Sequence, residues 1–231
     1  MRGFRDIHSH FVYGVDDGAR TRDDMEAMLD AAYADGITVL VSTPHVTPGL
    51  RPFDMAVYDR HLNMARAYCA DRGYGMKLER GAEILYTPAL IQAISHLPTL
   101  GESRTILVEF VPDITRSEME CALDRLMRNG YHVVMAHVER YNCLYRGGML
   151  KSIRQQFDVK CQMNCRTLSA NKGLWRGHCI KEWLRNGLID CVASDAHNTT
   201  NRSFGMTTAY RILKERVGCQ AADAMLGVAS E

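Results

Sequence analysis

The chain has 231 residues, 46% of them hydrophobic, enough to bury a sizeable core and within the range of a single α/β barrel. Its 28 Lys and Arg against 27 Asp and Glu leave a formal charge of +1, so no global field selects nucleic acid or an acidic membrane. No charged leader precedes an apolar run and no stretch is long enough to cross a bilayer, while the eight cysteines read as reduced, mostly buried thiols of a cytoplasmic protein.

The first strand is expected at Phe4-Arg5-Asp6-Ile7, and the alternation of a strand points His8 and His10 into one volume. One carboxylate of Asp16 and Asp17, in the turn bounded by Gly14 and Gly18, can return as an oxygen ligand. Thr21 and Asp24 form a capping box before the apolar stripe Met25, Met28, Leu29 and Ala32, and Gly36 ends that helix before the strand Thr38–Ser42. Pro44 stops that strand just before His45. A long helix is expected from Pro52 to Arg72, covering the sheet through Val57, Leu62, Met64 and Ala65. Lys77–Gly81 reads as the third strand, followed by Glu83.

Pro88–Leu97 reads as a short helix and connection, and Thr105–Phe110 as a fourth strand carrying Glu109. A second capping box, Thr115 with Glu118, opens a helix through Met119, Ala122, Leu123 and Leu126 that stops at Asn129-Gly130. The fifth strand, His132–Ala136, delivers His137 and then Glu139-Arg140-Tyr141. The sixth unit is the least regular: Phe157–Met163 resembles a strand, Lys181–Arg185 a helix segment and Ser169–Gly177 a loop. The seventh strand, Ile189–Ser194, leads to Asp195 and His197, with helices from about Thr207 to Val217 and at the C-terminus.

Ligand-type side chains therefore follow the strands, and in a β/α barrel all strand ends open on one rim. Singly, each has an ordinary structural use as a cap or a surface ion pair. Jointly, His8, His10, Asp17, His45, Glu83, Glu109, His137, Asp195 and His197 exceed the needs of one tetrahedral ion and imply two or three ions of Mn²⁺, Zn²⁺ or Fe²⁺ type. Closely spaced ions can clamp both sides of a phosphate under attack. His61, His96, His132 and His178 fall outside this pattern. His178-Cys179 with Arg185 has the spacing of a cysteine-dependent phosphatase, yet the intervening Ile180–Leu184 lacks glycine and reads as amphipathic helix, which argues against a phosphate-cradling loop.

The stretches DIHSH with GVDDGA, TPH, GAE, VEF, AHVERY and SDAHN, spread from His8 to Arg202, closely resemble the polymerase-and-histidinol-phosphatase (PHP) superfamily, and more narrowly its bacterial manganese-dependent protein-tyrosine phosphatases of capsular and exopolysaccharide operons. The resemblance implies a distorted seven-stranded, TIM-like β/α barrel over residues 1–231 as one domain, with a three-ion Mn²⁺ site in which Fe or Zn can stand in part. It places His8, His10, Glu83 and Asp195 around one ion, His45, Glu83 and Glu109 around a second, and Asp17, His137 and His197 around a third, with Asp16 a neighbour. Arg140 and Arg202 match phosphate-side arginines. Phe11-Val12-Tyr13, Val46 and Cys165-Arg166-Thr167-Leu168 depart from the usual pattern at the pocket rim.

The expected reaction is hydrolysis of phosphotyrosine monoesters. The implied substrate is an autophosphorylating bacterial tyrosine kinase, through which the protein could lie near the membrane. A small-metabolite phosphatase acting on a compound such as histidinol phosphate, and a non-catalytic phosphopeptide-binding regulator, are the competing readings. Neither an extended basic run nor a second domain supports a nucleic-acid substrate.

Overall fold

The computed structural model describes residues 3–170 and 173–228, with backbone alone at 91 and 92. All strand pairings are parallel. Strand β1 (Phe4–Ser9) pairs β2 (Ile37–Ser42), which pairs β4 (Lys77–Arg80). A second ladder runs β3 (His45–Val46), β5 (Glu83–Leu85), β6 (Thr105–Glu109), β7 (His132–Met135), β8 (Lys160–Asn164) and β9 (Cys191–Ala193).

The two ladders are one wall with two interruptions. Thr43-Pro44 separates β2 from β3 and Gly81-Ala82 separates β4 from β5, so His45 and Glu83 stand within resumed strands rather than beyond strand ends as the sequence suggested. Proline has no N–H to donate, but its carbonyl accepts the Glu83 amide at 3.0 Å, holding the gap together. A Cβ on Gly81 would come within 3.0 Å of the Ser42 carbonyl oxygen, so the neighbouring backbone occupies the room a side chain needs. The wall closes where the Asp195 amide donates to the His8 carbonyl and the His10 amide to the Ala196 carbonyl, both at 2.8 Å. Counting each interrupted pair once, the closed sheet has the seven strands expected.

Inside the barrel lie Val41, Leu100, Leu107, Val134 and Ala136, a small core that leaves the strand ends to polar residues. Outside it, helices cover the sheet with a larger apolar layer. Helix α1 (Arg22–Ala34) and helix α3 (Arg116–Arg128) start at the two capping boxes and bury the expected stripes. Helix α2 (Met55–Asp71) begins later than expected because the Asp54 carboxylate accepts the Val57 amide as its cap. It buries Tyr58, Leu62, Ala65 and Cys69, while Val57 and Met64 are only partly covered. Pro88–His96 is a 3₁₀ segment.

The sixth unit departs furthest from the expectation. Helix α4 (Met149–Gln156) precedes β8 and was not anticipated, and β8 starts only at Lys160. Helix α5 (Cys165–Ser169) follows directly, and α6 (Leu174–Arg185) begins within the span read as loop, of which residues 171–172 lie outside the described structure. Helices α7 (Met206–Val217) and α8 (Cys219–Met225) complete the chain. Among the described residues no helix is long and apolar enough to cross a membrane. All eight cysteines are free thiols; three are buried and two, Cys121 and Cys219, are exposed.

Candidate metal centre

The first strand carries His8, and His10 follows directly after its end, with their rings 5.3 Å apart. His8 Nε2 lies 3.1 Å from Glu83 Oε2 and 3.6 Å from Asp195 Oδ1, and His10 Nε2 lies 3.4 and 3.6 Å from the same two oxygens. These four side chains are buried, and their ligand atoms lie within 4.8 Å of one another.

Glu83 is the hub. Its Oε2 also lies 3.1 Å from His45 Nδ1, and its Oε1 lies 2.7 Å from His137 Nε2, which is 3.4 Å from Glu109 Oε1. His45, Glu83 and Glu109 form a second group as expected. A third combines Asp17 with His10, His45 and His197, both His45 Nε2 and His197 Nε2 being 3.3 Å from Asp17 Oδ1. His137 was expected in this third group and is not there: it faces Glu83 and Glu109, and His45 takes the place beside Asp17 and His197. The cause is backbone geometry. His137 has a φ of 30° and Asp195 a φ of 54°, the two positive values among the described non-glycine residues. Such left-handed turns redirect a side chain at a cost of order 1–3 kcal/mol, and here both belong to the cluster.

The histidines are held for ligation. Gln162 Oε1 accepts from His8 Nδ1 at 3.1 Å, Asp16 Oδ2 from His10 Nδ1 at 2.6 Å, and the Asp195 carbonyl from His197 Nδ1 at 3.0 Å. Fixing each proton on Nδ1 turns the Nε2 lone pair inward, as metal-binding imidazoles require. Those three Nε2 atoms and Glu83 Oε2 are buried without a hydrogen-bond partner. Buried polar atoms are rarely left so, and three imidazole nitrogens facing the carboxylates of Glu83, Asp195 and Asp17 fit divalent cations of nitrogen- and oxygen-preferring type.

The electrostatics agree. Burial disfavours charge on His10, yet Asp16 and Glu83 raise its pKa to about 10. Burial likewise opposes ionisation of Glu83, but His8, His10, His137 and His45 hold it well below the usual carboxylate range. Glu109 goes the other way, raised by burial and by the neighbouring Glu83 charge. His197 falls to about 4 through burial and the positive charge of His10. The carboxylates create a potential that favours positive charge, which an imidazole meets by protonation and a cation by coordination.

Arginines border the cluster on the open side. Arg140 Nη2 donates to Asp195 Oδ2 at 2.5 Å, with Nη1 3.6 Å from Glu109. Arg202 Nη2 donates to Asp195 Oδ1 at 3.1 Å and lies 3.5 Å from Asp17 through Nη1. The turn bearing Arg202 is closed by Asn198, whose Oδ1 accepts the amides of Thr200 and Arg202.

Sequence reasoning named Asp16 only as a neighbour and Arg166 only within a rim segment that departs from the usual pattern, and it missed Gln162 and Asn164. Asp16 orients His10 and accepts the His45 amide at 3.1 Å. Gln162 holds His8 and accepts the His137 amide at 2.8 Å, and Asn164 donates to Asp195 at 2.7 Å. Arg166 brings a third guanidinium, 3.7 Å from Asp195. Only the Asp16-Asp17 doublet carried a signal, an acid two residues before a glycine and six after a histidine. A cavity of about 1140 Å³ opens at the opposite end of the barrel between Arg5, Lys77, Thr105 and Lys160 and is lined by none of the nine ligand candidates.

Comparison with known proteins agrees with this architecture. A tyrosine-protein phosphatase CpsB of Streptococcus pneumoniae is 29% identical over 226 residues, covering 94% of this chain and 92% of that protein. The tyrosine-protein phosphatase YwqE of Bacillus subtilis is 26% identical, covering 93% and 85%. Crystal structures of YwqE and CpsB, described as unique metal-dependent tyrosine phosphatases, superpose with a TM-score of 0.82 at 25% identity, over 97% of this chain and 95% of that one. A histidinol phosphate phosphatase of Lactococcus lactis, at 15% identity and TM-score 0.58 over 94% of each chain, shares the fold. Residues 4–230 match the family model for capsular polysaccharide synthesis, CpsB/CapC, and the chain belongs to that family.

Proposed function

We propose that this protein is a metal-dependent protein-tyrosine phosphatase of capsular or exopolysaccharide synthesis, with manganese as its metal and a bacterial tyrosine kinase as its substrate. The observation that carries the reading is three adjoining ligand groups, two of them sharing Glu83 and the third joined to them through His10 and His45, beside two arginines that converge on Asp195. The similarity to S. pneumoniae CpsB, named a tyrosine-protein phosphatase, supports the choice of ester.

In this reading His8, His10, Glu83 and Asp195 would hold one cation, His45, Glu83 and Glu109 a second with His137 against its two carboxylates, and Asp17, His10, His45 and His197 a third. Divalent cations in such a set supply Lewis acidity and a nucleophile drawn from water at neutral pH. The chain's own contribution is positional and electrostatic. Gln162, Asp16 and the Asp195 carbonyl hold the rings of His8, His10 and His197 through Nδ1 and so fix the direction of their inward nitrogens. Arg140 and Arg202 reach the mouth of the cluster from two sides, and their forked donors match the oxygens of a phosphoryl group better than a point charge would. As negative charge grows on those oxygens, the two guanidiniums offset it without rearrangement. Tyrosine phenolate is a good leaving group, its conjugate acid having a pKa of about 10, so no dedicated proton donor is assigned.

The test is phosphate release from a phosphotyrosine peptide before chelation, after chelation and after Mn²⁺ is restored. Activity should vanish and return; full activity in the metal-free protein would overturn the reading. Histidinol phosphate assayed in parallel should be the poorer substrate by specificity constant.

A further inference from the structure

Three guanidiniums surround one carboxylate at the mouth of the cluster, and they are not equivalent. Asp195 Oδ2 already accepts from Asn164 at 2.7 Å and Arg140 at 2.5 Å, and Oδ1 accepts from Arg202 at 3.1 Å. A carboxylate oxygen has two good acceptor directions, so Oδ2 is full. Arg166 Nη2 stands 3.7 Å from it, too far for a hydrogen bond, and its guanidinium makes no hydrogen bond to the described residues. Arg140 and Arg202 each have a second carboxylate within 4 Å, Glu109 and Asp17; among the described residues Arg166 has one carboxylate at that distance.

Its position is nonetheless fixed. Helix α5 is a single turn that buries Cys165, Thr167 and Leu168, and the Thr167 hydroxyl donates to Glu139 Oε1 at 2.8 Å. That leaves Arg166 pointing outward, with 43% of its side chain exposed against 33% for Arg140 and 26% for Arg202. The inner pair line the cluster, and the third cation lies one step further toward solvent with all its donors available.

We infer that Arg166 is a specificity-determining residue that binds a second negative group next to the phosphoryl group, a carboxylate side chain flanking the phosphorylated residue of the substrate polypeptide. This rests on the phosphatase reading for its first anion, but the second contact is independent of turnover. An exposed charge pair contributes at most about 1 kcal/mol, so the preference should be modest, about five-fold. It should shrink as salt is added.

The experiment uses the Mn²⁺-loaded protein and two matched phosphotyrosine peptides, one with glutamates beside the phosphotyrosine and one with glutamines. Wild type should favour the acidic peptide about five-fold in kcat/KM, mainly through KM. Arg166→Gln should lose that preference by weakening the acidic peptide alone, and Arg166→Lys should restore part of it. Non-hydrolysable phosphonate versions of both peptides, measured by fluorescence anisotropy, should show the same pattern in binding. Equal weakening of both peptides in Arg166→Gln would overturn the inference and assign Arg166 to the phosphoryl group, and no preference in wild type would also overturn it. If neither peptide is hydrolysed while the binding preference persists and depends on Arg166, the catalytic reading fails and the second anion site stands.

Discussion

Asp16 Oδ2 and His10 Nδ1 lie 2.6 Å apart, the shortest of the contacts that orient the imidazoles of the cluster. The same carboxylate accepts the Gly18 amide at 3.0 Å and the His45 amide at 3.1 Å, so one side chain fixes a ring, a turn and the start of β3. Positioning contacts of this kind are worth about 10–100-fold in metal affinity. Asp16→Asn should therefore fold normally by circular dichroism and bind Mn²⁺ about 10–100-fold more weakly, with activity recovering at high metal concentration. Unchanged affinity by titration would show that His10 is positioned by Glu83 and its own strand alone.

Metal binding should also be visible as stability. The inward nitrogens of His8, His10 and His197 and Oε2 of Glu83 are buried without hydrogen bonds, so whatever coordinates them binds the folded chain and not the unfolded one. At a free concentration of 100 times Kd such binding adds about 2.7 kcal/mol, which in a chain of this size raises Tm by roughly 5–10 °C. Differential scanning calorimetry with and without chelator checks this. A Tm that is the same in both would mean that the groups do not hold a cation in the folded state.

Much of the centre was legible because ligand-type residues interrupt runs of strand formers at one end of the sheet: Ile37–Ser42 leads to His45, Thr105–Glu109 ends on an acid, and His132–Met135 leads to His137. The register then decides which of them meet. Which neighbours His137 would have was not legible, because its left-handed φ of 30° turns it toward Glu109 and away from Asp17, and nothing in Ala-His-Val signals that turn. Gln162 and Asn164 were missed, and Arg166 was named at the rim without its place beside Asp195, for a related reason. They lie on β8 and α5, where an alternating pattern is weak and an amide side chain looks like any other polar residue until the strand is placed beside β7 and β9. Helix α4 was hidden by its length of eight residues and by Gly147-Gly148 at its start.

The cysteine nucleophile suggested by His178-Cys179 and Arg185 has no structural support. Cys179 and Arg185 lie within one continuous helix, Leu174–Arg185, whose backbone amides past the first turn are used within the helix and cannot surround an anion. Arg185 instead contacts Glu182 at 3.3 Å. Cys179→Ser should keep turnover within about two-fold, the range of an ordinary surface substitution of up to 0.5 kcal/mol. A near-total loss in a folded, metal-replete variant would reinstate the thiol.

Gly18 is the tightest point of the turn that carries both aspartates. A Cβ there would lie 2.1 Å from the His10 carbonyl oxygen and 2.6 Å from His10 Cβ, both on the residue that follows β1 and is itself one of the ligand candidates. The closure is reinforced by the Ala19 amide, which donates to that carbonyl at 3.1 Å, and by the Gly14 amide, which donates to the Ala19 carbonyl at 2.9 Å. Gly18→Ala must therefore move backbone, and the group displaced with it is Asp16, so the variant should lose about 1–3 kcal/mol of stability and bind Mn²⁺ at least about 10-fold more weakly. Gly14→Ala is the control: its φ of 70° is unfavourable for alanine, but a Cβ would meet nothing within 4 Å. It should cost roughly 1–2 kcal/mol of stability while leaving metal affinity nearly intact, because strain at one residue does not displace Asp16. Urea denaturation and metal titration of the two variants separate a turn that merely tolerates glycine from one whose close approach to His10 builds the centre. Equal metal affinities in the two would reject the second.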